Sequence, residues 1–257
     1  MPWIELEGAV NVRDLGGLPT GNGGRTAAGR LLRADNLQDL TPSDIARLVD
    51  DIGVTTIVDL RSTAELTSEG PAPMDAVAGV RHAHHPVLPE LGEATDVVAD
   101  VLLTRADQDR SRYPGDPVAG HYLGYLEDRP EQVVAALRSI ATSPGAALVH
   151  CAAGKDRTGV LVAVALTAVG VPADVVVADY AATGERTEQI IDRLRRSPTY
   201  ADDINSKDER SHQPRPETMA AFLEQVDARH GGVIAWLAGH GFGADDLSLL
   251  AARLGQP

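Results

Sequence analysis

The 257-residue chain reads as an α/β protein: a central, mainly parallel sheet flanked by helices, followed by a helical C-terminal extension. Three observations predict this class. Val54-Thr55-Thr56-Ile57-Val58-Asp59-Leu60 is a β-branched run of strand length, and Ala146-Ala147-Leu148-Val149 is a second short apolar run; buried parallel strands look like this. Helical patterns lie on both sides of the second run, the alternation that parallel crossovers require. An apolar content of 43% with 23% charged residues is ordinary for a globular chain, and the length is ample for one sizeable core.

Each element has its own signal along the chain. Residues 8–36 carry Gly16-Gly17, Pro19, Gly21 and Gly23-Gly24, a turn-rich start with short strands such as Leu31-Leu32-Arg33. Gly21-Asn22-Gly23-Gly24 has no strand before it and no clear helix after it, so it reads as a hairpin turn rather than a nucleotide loop. Thr41 as N-cap and Pro42 at the first position start a helix that runs to about Asp51, with Gly53 ending it. The strand 54–60 follows, and Val80 to Val87 reads as an edge strand. Helices are predicted over 117–127, 130–142, 157–170 and 172–183, with the strand Ala146 to His150 between the second and third. Residues 88–116 are acidic and poorly periodic, which makes them a candidate lid, with a plain surface loop as the alternative. The polar stretch 197–216, with Pro198, Pro214 and Pro216, reads as a linker to helices near 216–230, 231–240 and 243–254. The expected organisation is a catalytic domain over 1–196, with linker and helical extension over 197–257 packed on the same domain.

Composition narrows the function classes. A formal charge of −14 argues against a nucleic-acid surface or a polybasic membrane patch. No apolar run is long enough to span a bilayer, and Met1-Pro2-Trp3-Ile4-Glu5 lacks the regions of a signal peptide, so the expected location is cytoplasmic. A single cysteine allows no internal disulfide and no thiolate zinc cluster. His82, His84 and His85 could imitate a metal site, but strand alternation puts His82 and His84 on one face and His85 on the other. An edge strand or pocket wall is the better reading, and neither a metal nor a cofactor is expected.

The chemistry concentrates in His150-Cys151-Ala152-Ala153-Gly154-Lys155-Asp156-Arg157-Thr158-Gly159. The string joins the end of a buried strand to an apolar helix. Such a junction offers unpaired backbone N–H groups and a positive dipole end to an anion. Ala152, Ala153 and Gly154 let the backbone curl closely around a tetrahedral ligand, and Arg157 can add a guanidinium fork to two phosphoryl oxygens. A thiol in that field has its pKa lowered from about 8.5 to roughly 3.5–7.5 and becomes a nucleophile near neutral pH. Thr158 can stabilise the thiolate and help it leave. Singly, each residue has a plain structural alternative; together they form a phosphate trap with a nucleophile in its floor.

The string resembles the signature loop of cysteine-dependent protein tyrosine and dual-specificity phosphatases. Its Gly-Lys-Asp-Arg-Thr form is similar to an atypical bacterial group that includes mycobacterial tyrosine phosphatase B. Asn11-Val12-Arg13-Asp14-Leu15-Gly16-Gly17, Gly29-Arg30-Leu31-Leu32-Arg33-Ala34-Asp35, Val58-Asp59-Leu60-Arg61-Ser62 with Glu65, and Val177-Ala178-Asp179-Tyr180 also resemble that group, in its order. The likeness spans about residues 8–184. It implies a phosphotyrosine-phosphatase-like fold, no metal, and a two-step reaction through a phosphocysteine on Cys151.

The resemblance makes Asp156 the first choice for general acid and Glu90 the second, where the group carries an acidic residue. Each has a structural alternative, a salt bridge or a helix cap in the case of Asp156. Lys155 is assigned to phosphate or to a second anionic group, and His150 to orienting the loop and tuning the thiolate. Arg13, Asp14, Asp59 and Arg61 read as a supporting shell, with a salt-bridged scaffold as the alternative. Positive potential from Lys155, Arg157, Arg13, Arg33 and Arg61 would offset the acidic surface locally. Phosphotyrosine proteins lead as substrates, with dual or phosphoinositide specificity, or a small phosphorylated metabolite or nucleoside, left open. Sulfur transfer of the rhodanese type and a non-catalytic phosphate-binding module are more distant readings, disfavoured by the Arg157-Thr158 pair and by the joint presence of Cys151, Asp156 and Arg157.

Overall fold

A computed structural model describes residues 3–88, 109–206 and 212–256. Five strands form one sheet: β1 (Arg13–Asp14), β3 (Leu31–Ala34), β4 (Val54–Asp59), β5 (Arg81–His84) and β6 (Ala146–His150), in the order β1-β3-β6-β4-β5. The last four run parallel, and β1 closes the edge antiparallel to β3. The sheet is therefore the predicted one, with β6 central and β5 at an edge. Its register matters for function, because Ala34, His150, Asp59 and His84 pair in one row at the C-terminal ends of the parallel strands. In open α/β sheets ligands bind at that end.

The side chains alternate across the sheet. Leu31, Val58, Ala147 and Val149 face the larger core with helices α3 (Pro117–Asp128), α4 (Pro130–Ala141), α5 (Asp156–Ala168) and α6 (Ala173–Ala182). Leu32, Ile57 and Leu148 face a smaller cluster with Leu37, Leu48 and Met74. Helix α1 (Pro42–Ala46) starts as the sequence predicts, in a capping box between Thr41 and Asp44, and continues as one π turn over Arg47–Asp51. Asp44 also accepts from the amides of Glu7 and Gly8, so this cap ties the N-terminal segment to the body.

Several helices among the described residues were not expected. Helix α2 (Thr63–Glu69) is too short for a periodic signal, and its mark in the sequence is Ser62-x-x-Glu65, which forms a capping box. Helix α7 (Thr187–Leu194) buries Ile190, Ile191 and Leu194. Helix α8 (Ala201–Ser206) lies in the polar stretch expected to be linker, where Ile204 and Tyr200 are buried beside those of α7. Asp202, Asn205 and Ser206 are exposed and Asp203 is buried beside Ile204, so composition concealed the helix.

The C-terminal helices α9 (Pro216–His230), α10 (Val233–Gly239) and α11 (Ala244–Leu254) follow the predicted boundaries. Helix α9 packs on α3 and α6, and α11 packs on α4. Met219, Phe222 and Val226 share the large core with Val160 and Tyr180. Strand β7 (Gly255–Gln256) pairs antiparallel with β2 (Arg25–Thr26), joining the end of the chain to its N-terminal hairpin. No helix among the described residues is long and apolar enough to cross a membrane.

Phe222 is fully buried and meets the Tyr122 ring edge-on. Phe222→Ala should lower the unfolding free energy by about 3–5 kcal/mol, read by chemical denaturation. One shifted transition is expected; an early separate transition for the C-terminal helices would show that they do not fold with the sheet.

Candidate active site

The loop between β6 and α5 closes at Gly154. This residue has φ +66°, and a Cβ there would lie 2.3 Å from the backbone oxygen of Ala34. Only glycine satisfies both conditions.

The loop carbonyls are pulled away from the loop's interior, each by a named donor. The Asn36 amide donates to the Ala152 oxygen at 2.8 Å. Asn11 Nδ2 donates to the oxygens of Ala153 and Gly154 at 2.9 and 3.2 Å, and Arg33 Nη2 donates to the Gly154 oxygen at 2.5 Å. In a trans peptide the next N–H points opposite the carbonyl, so the amides of Ala153, Gly154 and Lys155 turn the other way. Among the described residues the amides of Ala152, Ala153 and Gly154 meet no acceptor. Lys155 stands at the N-cap of α5 without a side-chain cap. Converging amides at an uncapped helix start favour an oxyanion.

The donors are themselves anchored in the interior. Asp179, on α6, takes Arg13 Nε at 2.8 Å and Arg33 Nη1 at 2.5 Å, with all three side chains at most 1% exposed. Burial opposes ionisation of Asp179, but Arg33 and Arg13 hold its carboxyl below the usual range. Burial and the neighbouring Arg33 lower Arg13 to about 10, so it stays charged at neutral pH. Arg13 Nη1 bonds Asn11 Oδ1 and so orients the amide that holds the loop. Arg33 and Arg13 are therefore held in the scaffold, sharing the single carboxylate of Asp179.

Arg157 is equally fixed. Its Nη1 and Nη2 meet Glu65 at 2.6 and 2.9 Å, with neither side chain exposed. Glu65 also accepts from the Ser62 amide and from the Tyr200 hydroxyl at 3.1 Å. A bidentate pair sets the plane of the guanidinium as well as its position. Thr158 Oγ1 is buried with no hydrogen-bond partner among the described residues. Ala152 packs against Ile190, Ile191, Leu194 and Tyr200, so α7 and α8 back the loop.

Cys151 is buried at the end of β6, at 2% exposure. The neighbouring His150 has Nδ1 3.3 Å from the Cys151 oxygen and Nε2 3.4 Å from Asp59 Oδ2. Burial outweighs the attraction of Asp59 and pushes the imidazole down to about 4, so it is neutral at physiological pH. Burial also opposes ionisation of Asp59, yet His150 and the bidentate Arg61 hold that carboxyl well below the usual range. Asp59 and Arg61 thus orient His150 from the end of β4.

Asp156 and Lys155 are the charged residues of the loop that reach solvent, with side chains 21% and 15% exposed. Lys155 Nζ lies 2.9 Å from Asp156 Oδ1, and the Tyr122 hydroxyl donates to the same oxygen. Asp14 lies outside the group: its carboxylate accepts from the amides of Gly16 and Gly29, so it holds the N-terminal turns. Glu90 and most of the candidate lid, residues 89–108, lie outside the described residues. His82, His84 and His85 point ring nitrogens to the Met74 oxygen, the Arg61 oxygen and Ser139 Oγ, opposite faces as alternation requires. Among the described residues no three His, Cys, Asp or Glu side chains converge to hold a metal. The roles of Asn11, Glu65, Asp179 and the tyrosines had no assignment from sequence, and Arg33 was expected only to add positive potential, since each depends on a partner distant along the chain.

A profile of the tyrosine phosphatase family matches residues 4–256. The chain belongs to the tyrosine phosphatase family. It is 33% identical over 181 residues to a Cupriavidus necator protein that carries a tyrosine-protein phosphatase name, covering 70% of this chain and 62% of that one. It is 31% identical over 205 residues to a Mycobacterium tuberculosis protein named triple specificity protein phosphatase PtpB, covering 74% and 72%. A tyrosine-protein phosphatase of Nostoc commune is 30% identical over 143 residues, 52% of this chain and 47% of that one. The chain therefore spans less than two thirds of the first and third relatives. Its Cys-x5-Arg loop, framed by Asn11, Arg33 and Glu65, is where the family's chemistry is to be sought.

Two outcomes test this geometry. Gly154→Ala should weaken binding of inorganic phosphate by about tenfold or more, because the loop must rotate its donors to relieve the contact; calorimetric titration reads this. His150 should titrate near pH 4 by NMR. Between about pH 4 and 6.5 the folded chain then binds fewer protons than the unfolded one. Stability is full above that window and falls on acidification through it; the fall should flatten in His150→Gln.

Proposed function

We propose that the protein is a phosphate monoester hydrolase working through a phosphocysteine intermediate, most directly a protein tyrosine phosphatase. The outward anchoring of the loop carbonyls by Asn11, Arg33 and Asn36 carries this reading, because it leaves a ring of amides for three phosphoryl oxygens above Cys151. Such prearranged donors match the charge of the transferring group and need no reorganisation during reaction. The reading requires no metal, since the amides and Arg157 meet the phosphoryl charge.

In the first step the Cys151 thiolate forms an S–P bond as the P–O bond to the leaving group breaks. Asp156 gives its proton to the departing oxygen. In the second step the Asp156 carboxylate takes a proton from water, the hydroxide forms the new P–O bond, and the S–P bond breaks to release inorganic phosphate and the thiolate. Thr158, with its uncommitted hydroxyl, serves the thiolate as it leaves. His150, neutral, serves as an orienting group rather than a proton carrier.

Depth supports the substrate class. Cys151 at 2% exposure favours a phosphoryl group carried on a long arm, as on a phosphotyrosine ring, over one on a short serine methylene. Lys155, at the solvent-facing part of the loop, can meet a further anionic group, the feature that dual or phosphoinositide specificity would use. Substrates are a phosphorylated protein first, with small phosphorylated molecules as the alternative.

Hydrolysis of an aryl phosphate in the presence of chelator tests the mechanism. Cys151→Ser and Arg157→Ala should each retain less than about 1% of turnover, with Cys151→Ser still binding phosphate. An active Cys151→Ser protein, or turnover that requires an added metal, would refute the reading. Cyanide-dependent thiocyanate formation would point to sulfur transfer instead. Phosphotyrosine peptides, phosphoserine peptides, phosphoinositides and phosphonucleosides compared side by side should rank with the tyrosine peptides first.

A further inference from the structure

Tyr122 is fully buried on α3, yet its hydroxyl reaches Asp156 at the start of α5. The Tyr180 hydroxyl, from α6, lies 2.8 Å from the Tyr122 hydroxyl. The direction of this chain follows by elimination. Tyr122 has one proton and donates it to Asp156 Oδ1, so it is Tyr180 that donates to Tyr122. The same Oδ1 also receives Lys155 Nζ at 2.9 Å, and Asp156 Oδ2 has no partner among the described residues.

We propose that the Tyr180–Tyr122 hydroxyl pair is a positioning device for the proton-transferring carboxyl of Asp156, committing Oδ1 to the protein and leaving Oδ2 to carry the proton that moves. The inference rests on the assignment of Asp156 as general acid made above. Asp156 sits on the edge of a loop with exposure to water, where an unheld carboxyl samples several rotamers. Two donors on one oxygen fix its plane and leave one oxygen for protonation. Of the two donors, Lys155 and Tyr122, the second is buried, uncharged and itself held by Tyr180, and burial together with Asp156 raises Tyr122 well above 10, so it remains a donor throughout the working range.

The surrounding packing is consistent with a built device. The Tyr122 ring meets Tyr125, Tyr180 and Phe222, which aims its hydroxyl out of the core at one point. Gly159, one turn after Asp156, lets the Tyr180 ring approach α5: a Cβ there would lie 3.0 Å from Tyr180 Cδ2. Glycine inside a helix costs about 1 kcal/mol relative to alanine, so the close approach has a reason to be kept.

The experiment compares kcat/KM, which reports the first step alone, for phenyl phosphate and 2,4-dinitrophenyl phosphate. Only the phenolate of the former needs a proton to leave. Tyr122→Phe keeps the ring and removes the hydroxyl. It should lower kcat/KM for phenyl phosphate by about tenfold and leave the dinitrophenyl ester within about twofold. Tyr180→Phe should act in the same direction with a smaller loss, and it serves where Tyr122→Phe fails to fold. In an Asp156→Asn background neither substitution should lower the rate further. Equal losses on both esters, no loss on either, or full additivity with Asp156→Asn would overturn the tyrosine proposal. Asp156→Asn alone separates the two ideas: if it does not favour the dinitrophenyl ester, the acid is another residue, and the tyrosines' role falls with it.

Discussion

The site depends on one constraint: the carbonyl oxygens after Cys151 are held outward so that the amides can face inward. Asn11, Arg33 and the Asn36 amide do the holding, and all lie in the N-terminal quarter of the chain, more than a hundred residues from the loop. Arg33 directly, and Asn11 through Arg13, take their positions from Asp179. A peptide unit is rigid, so fixing one of its two polar atoms fixes the other. The buried ion pairs need no net contribution to stability to justify themselves; their effect is orientation, and loss of one partner would leave a charge uncompensated in the interior.

The same constraint explains how an acidic chain can hold an anion. The net charge of −14 belongs to the whole chain, whereas around the loop four arginines, Arg13, Arg33, Arg61 and Arg157, share three carboxylates, Asp179, Asp59 and Glu65. The positive character of the loop then comes from amide dipoles, the start of α5, Lys155 and the guanidinium charge that three carboxylates leave unbalanced, all local and short in range. On the proposed function, capture of a phosphate is set within a few ångströms of Cys151, and the remote acidic groups act through screened solvent.

The helices outside the sheet are part of this arrangement. Glu65 reaches Arg157 from the first turn of α2, Tyr200 reaches Glu65 from just before α8, and α7 packs Ile190 and Ile191 behind Ala152. Phe222 of the C-terminal extension supports the Tyr122 ring whose hydroxyl touches Asp156. The extension is thereby linked to the site through one aromatic contact, in keeping with a family match that runs to residue 256.

Much was legible in the amino-acid order. Strand β4 showed in its β-branched run, α1 in Thr41-Pro42, and the loop in Cys151, Gly154 and Arg157, because these signals are local: propensity, capping and backbone freedom act within a few residues. Helices α2, α7 and α8 were not legible, since short helices get their stability from faces buried against distant elements rather than from propensity. The partners of each charged residue could not be read either. Asp14 and Asp59 look alike as acidic residues beside an arginine, yet one holds surface turns and the other faces His150. The sequence by itself determined that a cysteine, a glycine and an arginine would share one strand-to-helix turn. Only the tertiary structure decided which oxygens are held and which are left for chemistry, because hydrogen-bond direction depends on donors that the fold alone brings within reach.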